Sequence, residues 1–168
     1  MKSKKIEKNI DVENFYIPRW EELPSIDLYL DQIVTVLEKY LQNHIGKKED
    51  KIITKTMINN YVKYGILKPP VKKKYNKEHI ARLFVICILK QIYSISDIDE
   101  LIKLAISRAE AKKAYNKFCI CLEKSISYIF DGEEYIDDEN MVDADYLLKH
   151  VVLSFANNLY VKKKFLSQ

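Results

Sequence analysis

The sequence predicts an all-α protein, on three observations. Apolar residues recur at three- and four-residue spacing through most of the 168 residues, which is the period of an amphipathic helix. Each of the chain's three glycines, Gly46, Gly65 and Gly132, falls where such a period stops, as expected of helix terminators. Only the stretch 68–75 leaves room for a small hairpin. These patterns indicate packed helices around one core or two small ones.

The chain is predicted to begin with an extended arm and a long helix. Pro18 and Pro24 punctuate the arm, and proline holds the residue before it in an extended conformation. The arm is expected to lay Phe15, Tyr16, Ile17 and Trp20 onto the body, or to offer them to a partner. The helix is predicted over residues 27–45, with Ser25 or Asp27 as its cap. Its apolar stripe consists of Leu30, Ile33, Leu37 and Leu41.

A short helix with a sharp end is predicted over residues 54–64. Thr54 can cap it through its side-chain oxygen, and Gly65 can supply the left-handed residue that ends it. Pro69 and Pro70 prevent its continuation. The outward face of this helix carries side chains that can bond phosphates and base edges. They are Lys55, Thr56, Asn59, Asn60 and Lys63, and Lys72, Lys73 and Lys74 follow the prolines.

Four further helices are predicted, over residues 76–93, from Ser94 or Ser96, over 107–130 and over 141–165. Asn76 is the expected cap of the first. Ser96 and Asp99, three residues apart, suggest a capping box for the second, whose apolar positions are Ile98, Leu101, Ile102 and Ala105. The last two are joined by the loop around Gly132, and we expect them to be antiparallel neighbours.

The charge of the chain is unevenly distributed although its net value is only +4. Eleven basic and three acidic residues between Lys47 and Arg82 leave a local net charge of +8. Eight acids without a basic neighbour in sequence lie between Asp131 and Asp145. The first region suits a polyanion and the second repels one.

The order of these features resembles the winged helix-turn-helix of MerR-type regulators. The resemblance rests on the Thr54 cap, the Gly65-Ile66-Leu67 stop, the two prolines, and the stretch from Tyr75 to Ile98. The chain also resembles a bacterial family called domain of unknown function 1836, in which a winged helix follows a long N-terminal helix. The resemblance implies a recognition helix, a wing that ends in Tyr75, and DNA binding. Here Asn59 stands where the MerR-type helix usually has arginine, and asparagine can read adenine.

Catalytic, metal and cofactor sites are not predicted. Cys119 and Cys121 are two apart on a helix, so they point to different sides and are expected to be core or boundary hydrophobes. His44, His79 and His150 are scattered and form no pair at ligand spacing. The odd cysteine count and the absence of a leader sequence or a membrane span predict a reduced, cytoplasmic location.

The sequence therefore predicts a winged helix-turn-helix regulator of transcription that binds duplex DNA and is no enzyme. We expect an arm over 1–25, a DNA-binding domain over 26–106, and a C-terminal helical hairpin over 107–168 that dimerises or senses a small molecule. Tyr115, Tyr128 and Tyr146 can line a pocket for such an effector. The alternative is an adaptor module that binds protein and not DNA. The predicted DNA contacts are Lys55, Thr56, Asn59, Asn60, Lys63, Lys72, Lys73, Lys74 and Tyr75.

Overall fold

The computed structural model describes residues 14–47 and 49–166, and this part of the chain is mostly helical with one two-stranded antiparallel sheet. A 3₁₀ turn at Trp20–Glu22 precedes the sheet, and a π-helical turn at Lys162–Leu166 is the last described element. The strands are β1 (Leu28–Tyr29) and β2 (Lys74–Tyr75). The helices are α1 (Leu30–Ile45), α2 (Lys55–Lys63), α3 (Lys77–Leu89), α4 (Ile95–Arg108), α5 (Ala111–Asp131) and α6 (Asp143–Val161). None of the described helices has the length and apolar character to cross a membrane.

The first helix begins later than the sequence suggests, because the residues before it form a strand. Leu28 pairs with Tyr75, and Tyr29 with Lys74. The helix therefore starts at Leu30, and the predicted caps Ser25 and Asp27 are wrong, since Tyr29 occupies the cap position. The predicted apolar stripe is confirmed, with Ile33, Leu37 and Leu41 fully buried and Leu30 partly buried. This helix packs against both α2 and α3.

The capping residue of α4 is Ser94. Its side-chain oxygen accepts a hydrogen bond from the backbone N–H of Asp97 at 3.1 Å and donates to the Asp97 carboxylate at 2.6 Å. The predicted capping box of Ser96 and Asp99 is therefore wrong. Asp99 instead lies 2.5 Å from Arg82 of α3, and this ion pair joins the two helices.

The last two long helices run parallel, and the prediction of an antiparallel hairpin is wrong. Lys117, near the start of α5, contacts Asp145 at the start of α6. Phe130, at the end of α5, has its ring 5.3 Å from that of Tyr160 at the end of α6. The connector 132–142 must therefore run back along the pair, and eleven extended residues span up to about 35 Å, which is enough for the return.

The acidic connector is held by side chains from both helices. The hydroxyl of Tyr135 lies 3.3 Å from the sulfur of Cys121, and the Lys149 ammonium sits over the Tyr135 ring at 4.4 Å. Lys149 also binds Asp137 at 2.6 Å, and Lys124 binds Asp138 at 3.4 Å. Two of the acids that have no basic neighbour in sequence, Asp137 and Asp138, thus acquire lysine partners from α6 and α5.

The arm lies against α5 and α6 as predicted, although not through all four aromatic and apolar residues. Phe15 and Ile17 are buried, whereas Tyr16 is 40% exposed. The Tyr115 hydroxyl donates to the carbonyl oxygen of Pro18 at 2.8 Å, and Arg19 donates two hydrogen bonds to the Glu123 carboxylate, at 2.8 and 2.6 Å. The first thirteen residues of the predicted arm lie outside the described residues.

One continuous cluster of buried side chains extends from Phe15 in the arm to Leu159 in α6. It includes Cys87 and Cys119, and Cys121 packs at its edge. The prediction that Cys119 and Cys121 are core or boundary hydrophobes is therefore confirmed. Because arm, central helices and C-terminal pair share this cluster, the surfaces of α2 and α6 are parts of one packed body.

Candidate nucleic-acid interface

The short helix α2 is capped at both ends by hydrogen bonds to its backbone. Thr54 Oγ1 accepts from the Met57 N–H at 3.2 Å, as predicted for its cap. At the other end Gly65 has a φ of 74°, a left-handed conformation that costs glycine little. The Ile66 N–H bonds to the Tyr61 carbonyl at 2.9 Å and the Gly65 N–H to Val62 at 3.1 Å. This is the Schellman motif, and it turns the chain sharply away from the helix.

The segment after α2 is tied to α3, which sets the position of the following turn. Arg82 Nε donates to the carbonyl oxygen of Ile66 at 2.6 Å. The His79 ring lies with Nε2 3.1 Å from the carbonyl oxygen of Lys68, and Leu67 between them is buried. Pro69 and Pro70 therefore follow a segment that Arg82 and His79 hold in place.

A tight turn places Lys72 and Lys73 at its tip. Val71 and Lys74 exchange backbone hydrogen bonds of 3.0 and 2.9 Å, so two residues close the loop. Lys72 has a φ of 48° and Lys73 of 64°. Positive φ at both central positions is the signature of the type I′ turn, for which Asn-Gly is the preferred pair. Lysine pays roughly 1 kcal/mol or more for this conformation at each position.

The polar side of α2 and the lysine turn lie on the same open side of the molecule. A shallow depression of about 450 Å³ separates them, and both Asn59 of α2 and Lys73 of the turn line it. The other lining residues are Tyr29, Leu30, Asp31, Pro70 and Tyr75. The β1–β2 pairing brings the start of α1 to this depression, so three parts of the chain meet there.

Eight of the nine residues predicted to contact DNA are at least partly open to solvent. Lys55, Thr56, Asn59, Asn60, Lys63, Lys72 and Lys73 are exposed, and Lys74 is partly exposed. Tyr75 differs, because only 3% of it is exposed and burial raises its pKa. Its ring packs edge-on to that of His79, 5.3 Å away. Tyr75 is a core residue here, so the prediction of a DNA contact through its side chain is corrected.

Three residues at this surface escaped the sequence reasoning. Tyr29 is 52% exposed, and the Lys74 ammonium lies 5.1 Å from its ring centre. Tyr64, at the end of α2, is 71% exposed beside Lys63. Asp31 forms an ion pair with Lys55. A two-residue strand leaves no periodic signal, so nothing in the sequence placed Tyr29 and Asp31 next to the lysine turn.

The carboxylate of Asp31 disfavours the binding of a polyanion to this surface. Replacing Asp31 by an uncharged residue therefore gives a first prediction. An exposed carboxylate beside Lys55 cancels the charge of that lysine and repels phosphate. We expect Asp31→Asn to strengthen binding to a duplex several-fold in fluorescence anisotropy at low salt. Glu139→Gln, an exposed acid on the connector, is the matched control and should change little. Unchanged binding by Asp31→Asn would exclude Lys55 from the contact surface.

The buried His79 ring attaches the segment before the lysine turn to α3. Its ring accepts from the Asn76 N–H at Nδ1, 3.0 Å away, and Nε2 lies beside the Lys68 carbonyl. Burial, the dominant influence, lowers the pKa of His79 below its usual value, so the folded state holds the neutral ring. The unfolded chain takes up this proton near pH 6.5, and the His79 contribution to stability is therefore lost progressively as pH falls below that value.

We therefore expect the free energy of unfolding to decrease from pH 7 to pH 5, measured from urea unfolding curves. His79→Gln should flatten this decrease, because glutamine does not titrate. His150→Gln, at an exposed position, should retain it. An equal slope in all three proteins would assign the pH dependence to other groups.

Comparison with known proteins identifies one family. A family model described as Domain of unknown function (DUF1836) matches residues 18–118, which is more than half of the chain. The matched stretch extends from the arm into α5 and contains α2, the lysine turn and the depression between them. No curated protein and no solved structure matches the chain.

Proposed function

The chain belongs to the family of the Domain of unknown function (DUF1836), and we propose that it binds duplex DNA through α2 and the lysine turn as a regulator of transcription. In this proposal α2 enters the major groove, where Asn59 and Asn60 meet base edges. Lys72 and Lys73 contact the flanking phosphates. The elements from α1 to α4 then act as a winged helix-turn-helix of the MerR type, with the turn as a short wing.

The observation that carries this proposal is the conformation of the two lysines. A turn with φ above zero at both central positions is most stable with Asn-Gly, yet this chain has Lys72 and Lys73 there. Residues held in unfavourable backbone conformations cluster at functional sites. The segment before the turn is attached to α3 at Ile66 and Lys68, and the turn presents Lys72 and Lys73 to solvent at its tip.

The charge of the surface supports a polyanion as the partner. The exposed residues of α2 and the turn include four lysines, Lys55, Lys63, Lys72 and Lys73, and Asp31 at the start of α1 pairs with the first of them. Phosphate contacts of this kind supply most of the sequence-independent affinity for DNA. Asparagine and threonine side chains between them offer the hydrogen bonds that base edges require.

The arm gives the adaptor alternative less support than the sequence suggested. That alternative uses the apolar arm as a strip for a protein partner, but Phe15 and Ile17 are buried against the body. Their burial leaves Tyr16 as the exposed aromatic residue of that strip. The lysine surface therefore remains the better-supported site.

A two-fold dimer is part of the proposal. A recognition helix of nine residues covers about one half-site, and regulators of this kind reach specific affinity by pairing two half-sites one helical turn apart. We expect the C-terminal helices to contribute to the dimer. The predicted operator is accordingly a pseudo-palindrome.

The salt dependence of binding to a random duplex tests the proposal. If several lysines displace counterions from phosphate, the logarithm of the association constant falls linearly with that of the salt concentration, with a slope of roughly −3 to −4 for four contacts. Anisotropy of a labelled duplex between low and moderate salt measures this slope. Undetectable binding at low salt, or binding with no slope, would reject the DNA proposal and favour the adaptor alternative.

A further inference from the structure

A second site lies between the winged elements and the C-terminal pair. A groove of about 560 Å³ is bounded by α3 and α4 on one side and by the starts of α5 and α6 on the other. Its walls are chiefly aliphatic, with Val85, Leu101, Ile102, Leu148 and Val151 among them, and several alanines widen it. Its size and lining fall within the range of small-molecule sites, about 300–1,000 Å³ with mostly hydrophobic walls.

The groove exists because the apolar stripe of α4 is only partly covered. The sequence predicts Ile98, Leu101, Ile102 and Ala105 as its core positions, yet only Ile98 is buried. Leu104 is 37% exposed on the same helix. On the facing wall Val142 is 62% and Leu147 38% exposed. Apolar side chains thus line both sides of an open cleft, and they gain free energy if a hydrocarbon fills it.

The charged residues of the lining are predominantly basic. Lys68, Arg82, Lys103, Arg108 and Lys117 are opposed by Glu78 and Asp145. Arg82 and Lys103 both bind Asp99, and Lys117 binds Asp145. Arg108 differs, because among the described residues no carboxylate forms an ion pair with it. A planar guanidinium of this kind binds a carboxylate through two hydrogen bonds.

We propose that this groove binds a long-chain carboxylic acid, with the hydrocarbon between α4 and α6 and the carboxylate on Arg108. The aliphatic walls suit the hydrocarbon of the acid. The guanidinium of Arg108, which has no carboxylate partner among the described residues, suits its carboxylate. A partner helix fits less well. A helix with its side chains is about 10–12 Å wide and rises 5.4 Å per turn, so one turn already occupies roughly 500 Å³. The groove would hold about one turn, whereas an acyl chain can lie along its length.

The proposed ligand would also reach the segment that positions the wing. Gly65, Ile66 and Lys68 contribute to the groove, and Arg82 joins the Ile66 carbonyl to Asp99 of α4. A hydrocarbon that shifts α4 therefore changes the support of the lysine turn. This regulatory role rests on the proposed DNA binding, whereas binding of the acid itself does not. Of the tyrosines predicted to line an effector pocket, Tyr115 lines this groove, while Tyr128 and Tyr146 are exposed elsewhere on the C-terminal pair.

The single tryptophan of the chain, Trp20, lines the groove and provides a direct readout. Titration with octanoate, dodecanoate and hexadecanoate, each below its micelle concentration, should give saturable changes in its fluorescence. Affinity should rise about fourfold for each added methylene until the groove is full. Hexadecanol, which lacks the charge, should bind at least tenfold more weakly than hexadecanoate.

Two variants locate the ligand. Ala105→Phe narrows the groove and should weaken hexadecanoate binding more than tenfold, with its helical content checked by circular dichroism. Arg108→Gln changes an exposed side chain, so the fold should persist, and it should bring the affinities of acid and alcohol together. Lys113→Gln, an exposed lysine of α5 outside the groove, is the matched control and should bind as the unmodified chain does.

Three results would overturn the proposal. The first is no saturable binding of any of the three acids, and the second is equal affinity for acid and alcohol in the unmodified chain. The third is a dimer in sedimentation that Ala105→Phe converts to a monomer, which would make a second copy the occupant of the groove. Because Trp20 fluorescence is read without DNA, these outcomes are independent of duplex binding. Loss of DNA binding alone would leave the acid site standing and remove only its regulatory role.

Discussion

Replacing the two lysines of the turn by the pair that the turn prefers is expected to weaken DNA binding and stabilise the protein at the same time. In Lys72→Asn/Lys73→Gly both ammonium groups are lost, and at 0.1 M salt each lost phosphate contact costs roughly a factor of ten in affinity. The duplex affinity should therefore fall about 100-fold. Asn-Gly relieves the left-handed strain, so the free energy of unfolding should rise by about 1 kcal/mol, or roughly 3 °C in Tm.

A lower duplex affinity together with a higher free energy of unfolding distinguishes the loss of a DNA contact from a loss of folding. Duplex anisotropy gives the first quantity and thermal unfolding by circular dichroism the second. The salt slope should also become shallower by about two. Lys112→Asn/Lys113→Gln removes the same charge from exposed positions on α5 and should change the affinity only a few-fold. If both double variants weaken binding equally, net charge and not the lysine turn governs the interaction.

The backbone of the candidate site could largely be predicted from the sequence, because its signals are local. A threonine cap, a glycine in left-handed conformation and two prolines act within a few residues of themselves, and α2 begins and ends within a residue of its predicted bounds. The position of Lys72 and Lys73 at a tip follows from the prolines. The exposure of the polar face of α2 follows from its apolar anchors Ile58 and Tyr61, which are buried.

The parts that escaped prediction depend on contacts between distant segments. The strand Leu28–Tyr29 exists only because Lys74–Tyr75 is beside it, and a two-residue strand has no alternation to detect. Tyr75 was predicted to contact DNA because a phenol has both an apolar ring that packs and a polar tip that can reach a phosphate. The pairing with β1 and the contact with His79 place that ring inside.

The direction of α6 was mispredicted for a related reason. A loop of eleven residues rich in acids suggests a simple reversal between neighbouring helices, and the antiparallel arrangement follows from that assumption. The connector instead runs back along α5, where Tyr135 packs and Asp138 meets Lys124. Neither contact has a sequence signature. A tyrosine among acids, for example, can equally well be buried or exposed to solvent.

Removing the ring of Phe155 is expected to destabilise the whole described body and not the C-terminal helices alone. Phe155 is 1% exposed in α6, and its ring lies 6.4 Å from that of Phe15 in the arm. Truncating a fully buried phenylalanine typically costs about 3–5 kcal/mol, so Tm should fall by roughly 10 °C in Phe155→Ala. Phe165→Ala removes the same side chain from a 60% exposed position and should cost less than about 0.5 kcal/mol.

The number of unfolding transitions in Phe155→Ala decides whether residues 26–106 form a separate domain. One buried cluster extends from the arm to α6, so a cavity at Phe155 should lower the protection of α2 amides against hydrogen exchange as much as that of α6 amides. Trp20 fluorescence and circular dichroism should then report a single midpoint. A second transition that keeps the midpoint of the unmodified chain would show that the elements from α1 to α4 unfold independently. In that case the groove between α4 and α6 is an interface between domains, and an acid bound there would act by holding the two together.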